Sequence, residues 1–268
     1  MRHPRIALAV SLSALLAAPL ARFSTAGAET RAPGQTQRTE ITVAAAISMK
    51  DVLEALEKKF AERAGAPHTV FNFGASGILQ VQIEEGAPVD LFLSAAPAQM
   101  NALEAKGLLL AGTRRNIAGN RLVLVVPAGS TRVKRVEDLK KPEVRTIALG
   151  EPRSVPAGQY AAQALRNLGF FDALQSKFVF AQNVRAVLTY VSGRDADAGF
   201  VYETDAKSTE KVSIAMPLPA SSYTPVVYPA AVIRNAKNAA GAKTLLEFLA
   251  SPAARTIFEQ FGFTLPEK

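Results

Sequence analysis

The chain has no cysteine, no tryptophan and two histidines among its 268 residues. Without cysteine there is no disulfide, no thiolate metal site, no cysteine nucleophile and no lipid-modified N-terminal cysteine. His3 lies in a segment expected to be removed, which leaves His68, at the start of an expected strand, as the sole histidine of a mature chain. An enzyme built on it would be short of its commonest acid–base group. Clustered ligands for a metal cation are missing as well. So is any basic run interleaved with aromatics. The lysines and arginines are spread along helices with acidic neighbours, which speaks against nucleic acid as a partner.

What the N-terminus does have is Arg2, Arg5, an apolar run from Ile6 to Leu20, and "AGA" ending at Ala28. This is the pattern of a secretory signal peptide, with cleavage expected after Ala28; the apolar run is short for a membrane span. Removing residues 1–28 takes away Arg2, Arg5 and Arg22, so the formal charge of +8 falls to about +5, a modest excess for a soluble domain. Residues 29–39, "ETRAPGQTQRT", read as a flexible lead-in. The expectation is a freely diffusing, monomeric, exported protein.

From Glu40 onward short apolar runs alternate with amphipathic stretches. "EITVAAA" gives way to "MKDVLEALEKKFAERAG", where Leu53, Leu56, Phe60 and Ala64 repeat at helical spacing until Gly65 and Pro67 stop them. "HTVFNFG" precedes "ASGILQVQIEEG", "VDLFLSAA" precedes "PAQMNALEAKG", and "RTIALGE" precedes "PAGQYAAQALRNLG". Strands that are continuous apolar runs suit a parallel sheet covered by helices on both faces, so the fold class is α/β. "NRLVLVVPAGS" and "PVVYPAAVI" bracket the middle of the chain and suit passages between lobes. The expected division is 40–119 with 223–268 in one lobe and 120–222 in the other. The closing segment reads as two structural helices, the second capped by Ser251 with Pro252 at its first position.

Four strand-to-helix joints are made of small or neutral residues: around Ser48, around Ser76 in "GASGI", at Pro156 to Gly158, and at Asn183 to Val184. A helix start carries backbone N–H groups with no intrahelical acceptor, and the aligned peptide dipoles add positive potential. Small side chains let a ligand approach that backbone. Together the four joints describe an anion-binding cleft at the carboxyl ends of strands. Each also has a plainer reading. Ser48 could simply cap its helix; Ser76 could be a nucleophile, though "GASGI" lacks the last glycine of G-x-S-x-G and His68 is the only base. Tyr202 could be a core tyrosine. Arg153 and Arg185 could touch the anion or pair with acids such as Glu151, and Asp195 and Asp197 read as turn residues.

The segments "ITVAAAIS", "FGASGILQVQIEEGAPVDLFLSA", "GNRLVLVVP", "GEPRSVPAGQYA", "NVRAVL", "AGFVYETDA" and "FEQFGF" resemble, in order and spacing, the periplasmic molybdate-binding proteins of ABC-type importers. The resemblance runs from about Ile41 to the C-terminus. It implies a two-lobed type II periplasmic binding protein fold, each lobe a mostly parallel sheet flanked by helices. It also implies an inter-lobe site for molybdate and tungstate that needs no cofactor, and delivery to a membrane permease driven by an ATPase. Carried over by position, the ligand-binding residues are Ser48, Ser76, Ala157, Val184 and Tyr202. Two positions depart from the family's habit: Ile47 precedes the first serine, and Glu203 follows the tyrosine, where a cleft-facing carboxylate would repel an anion. The alternatives are sulfate or another tetrahedral oxyanion on the same fold and, from another class, a secreted serine hydrolase.

Overall fold

The computed structural model describes residues 39–265. The expected leader, and the lead-in except Thr39, lie outside the described residues. Among the described residues no helix is long and apolar enough to cross a membrane.

The first part of the chain runs β1 (Glu40–Ala46), α1 (Lys50–Ala61), β2 (His68–Gly74), α2 (Ser76–Glu84), β3 (Leu91–Leu93), α3 (Pro97–Ala105) and β4 (Arg115–Asn120). The second runs β5 (Leu122–Pro127), β6 (Ile147–Gly150), α4 (Pro156–Asn167), α5 (Phe171–Leu174), β7 (Phe178–Ala181), α6 (Val184–Ser192), β8 (Ala198–Tyr202), α7 (Glu203–Lys207) and β9 (Val212–Pro217). It closes with β10 (Val226–Val232), α8 (Ala239–Leu249) and α9 (Pro252–Gln260). The strands form two five-stranded sheets, ordered β2-β1-β3-β10-β4 and β7-β6-β8-β5-β9. In each, a parallel trio is extended by antiparallel pairing, through β10 in the first and β5 in the second. The chain passes from the first sheet to the second at Arg121, between β4 and β5, and returns over 218–225. The two passages meet where the Leu122 N–H donates to the Tyr223 hydroxyl at 3.1 Å.

The inner strands are apolar because both faces are covered. Along β1, Ile41, Val43 and Ala45 join the layer of α1, α8 and α9, while Ala44 faces the opposite layer with Leu79 and Ile83 of α2 and Met100 and Leu103 of α3. Phe60 of α1 is fully buried against Phe248 of α8, ring centroids 5.4 Å apart, a burial worth roughly 1.5–3 kcal/mol. The edge strands differ from the covered-strand expectation. On β2 and β7, the edge strands of their sheets, Val70, Val179 and Phe180 are exposed.

Helix α1 also ends earlier than its apolar repeat predicts. It stops at Ala61; Ala64 is exposed, Gly65 takes φ +73°, and Ala66 is the alanine that returns to the core. Burying Ala66 requires the chain to turn before Gly65, and Gly65 makes the left-handed turn without strain. The last two helices form as expected, with the Ser251 hydroxyl accepting from the Ala254 N–H at 3.4 Å.

Candidate functional site

Ser48, Ser76, Ala157, Val184 and Tyr202 line one small pocket between the two sheets, together with Ala46, Ile47, Gly74, Ala75, Ala95, Val155 and Pro156. Its cavity volume is about 10 Å³. Its walls are the turns that follow β1, β2, β3 and β6, the first residue of α6, and the last residue of β8.

Ser48 sits in a 3-10 turn, Ile47–Met49, that leads into α1, and it is buried. The capping reading fails here: no side chain caps either the 3-10 turn or α1. The Ser48 Oγ instead lies 3.1 Å from the Tyr228 hydroxyl. That hydroxyl also accepts from Asn120 Nδ2 at 3.2 Å, and Asn120 donates its other proton to Thr204 Oγ1 at 2.9 Å. With an acceptor site of Tyr228 already filled by Asn120, the Tyr228 proton is free to go to Ser48. In that orientation, one of the two that the pair allows, the Ser48 proton is left for the pocket.

Ser76 is the first residue of α2 rather than its cap, which is Ala75. Its Oγ accepts the Ala95 N–H at 3.0 Å, so this hydroxyl too has an acceptor site filled and a proton to spare. The Ala95 carbonyl faces the other way and accepts a long bond, 3.4 Å, from the Tyr202 hydroxyl. Burial of Tyr202 raises its pKa well above the ordinary tyrosine value, so it stays a neutral donor. Tyr228 is raised likewise, chiefly by burial.

Ala157 is the second residue of α4, behind Pro156 at the first. Gly158 follows because β6 passes too close for any side chain: a Cβ there would lie 1.9 Å from the Gly150 carbonyl oxygen. Val184 opens α6, whose cap Asn183 accepts the Ala186 N–H at 2.9 Å. Among the described residues no protein acceptor meets the N–H of Ala157 or Val184. The first turns of α2, α4 and α6 contain no acidic residue. The pocket is therefore lined by the Ser48 and Ser76 hydroxyls, by the Tyr202 hydroxyl whose proton points to Ala95, by peptide N–H groups without a protein acceptor among the described residues, and by helix-start potential, with no carboxylate. That arrangement can hold an anion.

The neighbouring charges are engaged elsewhere. Glu203 is absent from the lining; its carboxylate lies 2.6 Å from Lys207 Nζ and 3.8 Å from Arg121. Arg153 is exposed and pairs with Glu151 at 3.2 Å. Arg185 lies against Asp51 and Asp205. Asp197 accepts the N–H groups of Arg145 and Thr146, a structural role at a chain turn. Ile47 does line the pocket. The hydrolase geometry is not met. His68 is exposed at the start of β2 beside Glu40, and Ser76 lies beyond the end of that seven-residue strand, roughly 20 Å away.

The lobes are closed over this pocket. The Gly77 N–H donates to the Ser154 carbonyl at 2.9 Å, and a Cβ on Gly77 would lie 2.5 Å from that same oxygen. Sequence reasoning missed Tyr228, Asn120 and Ala95. Nothing in "PVVYPAAVI" separates Tyr228 from an ordinary core aromatic, and its link to Ser48 spans 180 positions.

The chain is 36% identical to the molybdate-binding protein ModA of Haemophilus influenzae over 229 residues, 84% of this chain and 90% of that one. It is 36% identical to the molybdate-binding protein ModA of Escherichia coli, covering 84% and 89%. The structure of the Azotobacter vinelandii periplasmic molybdate-binding protein superposes with a TM-score of 0.77 at 28% identity, over 85% of this chain and all of that one. The pattern of bacterial extracellular solute-binding proteins matches residues 41–264, and the chain belongs to that family.

Proposed function

We propose that this protein captures molybdate, and tungstate with it, between its two lobes in the periplasm and delivers the oxyanion to an ATP-driven membrane permease. The observation that carries the reading is the convergence of neutral donors on one pocket that has no carboxylate. The Ser48 hydroxyl, 3.1 Å from Tyr228, and the Ser76 hydroxyl, which accepts the Ala95 N–H and keeps its own proton, line the same pocket as the N–H groups of Ala157 and Val184. Such a site suits a fully deprotonated dianion. It does not suit phosphate, which keeps a proton on most of its population near neutral pH and would leave that O–H without a good acceptor, a loss of about 1–3 kcal/mol. Sulfate is likewise a dianion, but a smaller tetrahedron that meets donors from both lobes less well. The relatives named for molybdate support the larger ion.

Thermal shift against a panel of oxyanions tests this, since a ligand that binds only the native state raises its melting temperature. Molybdate and tungstate should give similar large shifts, sulfate a weak one and phosphate none. Sulfate that displaces molybdate at comparable concentration refutes the assignment and favours the smaller oxyanion.

A further inference from the structure

Arg185 stands next to Val184, yet its guanidinium turns away from the pocket and meets charges on both lobes. Nη2 donates to Asp51 Oδ2 at 2.7 Å, Nε lies 2.6 Å from Asp205 Oδ1, and Nη1 donates to Ser208 Oγ at 3.1 Å. Asp51 belongs to α1 of the first lobe, whereas Arg185 and Asp205 belong to α6 and α7 of the second. Each of the three lies close in sequence to a pocket residue: Asp51 three positions after Ser48, Arg185 one after Val184, Asp205 three after Tyr202. Two carboxylates flank the single guanidinium, so little positive charge is left over to attract an anion. Its planar fork can engage two carboxylates at once, which a lysine ammonium on a single flexible stem cannot reproduce.

From this geometry we infer that Arg185 is a positioning residue that latches the closed state, tying the Ser48, Val184 and Tyr202 segments together across the cleft and slowing release of the anion. The inference rests on the inter-lobe oxyanion site proposed above. Asp51 supplies the only arm of the triad that crosses between lobes, and it is 41% exposed, so it can be changed without burying an unpaired charge. Asp205 is fully buried and keeps Arg185 as its partner when Asp51 is altered.

The test compares Asp51→Asn, Asp51→Glu and Arg185→Lys with the wild type, using chase of bound radiolabelled molybdate and small-angle scattering of the ligand-free proteins. Asp51→Asn should release molybdate about 3- to 10-fold faster, a change in a partly exposed charge pair felt mainly in dissociation, with association and ligand-free melting temperature unchanged. Asp51→Glu should restore slow release, and Arg185→Lys should not. The ligand-free scattering of Asp51→Asn should shift toward an open form. Wild-type release from both Asp51→Asn and Arg185→Lys overturns the latch. Should the wild type fail to bind molybdate, the ligand assignment falls, and scattering alone then judges the latch: identical ligand-free profiles for wild type and Asp51→Asn overturn it.

Discussion

If Tyr228 orients the Ser48 proton, the two residues must act as one unit in binding, and a double-mutant cycle measures that directly. Ser48→Ala removes a hydroxyl bond to a dianion and should weaken molybdate binding by about 1.5–3 kcal/mol, or roughly 10- to 150-fold in Kd. Tyr228→Phe leaves the pocket lining intact and fills the same buried volume, since only the hydroxyl is lost and Asn120 keeps its 2.9 Å bond to Thr204. What disappears is the donor 3.1 Å from Ser48 Oγ, so the serine hydroxyl is no longer held toward the pocket. That loss is of the size of one neutral hydrogen bond, about 0.5–1.5 kcal/mol, or roughly 2- to 12-fold in Kd. In the Ser48→Ala background, Tyr228→Phe should add almost nothing, because the group it positions is gone; the coupling energy then equals the whole Tyr228 effect. Calorimetric titration of molybdate into the four proteins provides the numbers. Two outcomes refute the reasoning. Additive losses mean that Tyr228 does not act through Ser48. Tighter binding by Tyr228→Phe means that Ser48 was donating to Tyr228 and its proton was not available to the anion.

Ser76→Ala should harm both binding and folding, because the buried Ala95 N–H loses its acceptor as the anion loses a donor: about 1.5–3 kcal/mol of affinity and about 1–3 kcal/mol of stability. A normal melting temperature would contradict that dual role. Gly77→Ala puts a Cβ 2.5 Å from the Ser154 carbonyl oxygen and should disfavour the closed form by about 1–3 kcal/mol, read as a more open ligand-free scattering profile; an unchanged profile would contradict it. Burial pushes the Asp205 carboxyl up to about 6 from 3.8, against the pull of Arg185. The folded protein therefore holds this proton more tightly than the unfolded chain. The contribution of Asp205 to stability is fully present below the ordinary carboxylate pKa and is lost as pH rises through about 6. Subtracting the urea-unfolding free energy of Asp205→Asn from that of the wild type should isolate this decline from the opposing carboxylates Asp138, Glu84 and Glu151, whose pKa values are lowered by hydrogen bonds. A flat difference between pH 4 and pH 6 rejects it.

The parts of this molecule that were legible in its sequence are those decided within a few positions. The apolar runs of the inner strands, the face of α6 formed by Val184, Val187, Leu188 and Val191, and the Ser251 cap are local patterns that tertiary structure leaves alone. The early end of α1 was not legible, because choosing Ala66 over Ala64 for burial depends on what the neighbouring strand and helices leave room for. The pocket divides along the same line. Small residues at strand-to-helix joints marked Ser48 and Ser76 without help. The joints at Pro156–Gly158 and Asn183–Val184 were marked in the same way, but Ala157 and Val184 offer only backbone, and their choice within those joints, like that of Tyr202, came from the family resemblance.

The deeper limit concerns hydroxyls. A sequence can show that a serine is present at a helix start, but a serine is both donor and acceptor, and the same residue serves as a cap or as an anion ligand according to which of its faces the protein occupies. At Ser48 that choice is made by Tyr228 and, behind it, by Asn120, respectively 180 and 72 positions away; at Ser76 it is made by the peptide of Ala95. The partners of Arg185 are as remote in one direction, with Asp51 134 positions away. Non-local contacts of this kind turn a string of neutral residues into a set of donors facing one point, and they do so without a cationic side chain in the lining. The selectivity expected of the pocket follows from them: an oxyanion is accepted for having no proton and for a size that reaches both lobes, and a protonated anion is disfavoured because the lining offers its O–H no carboxylate to accept it.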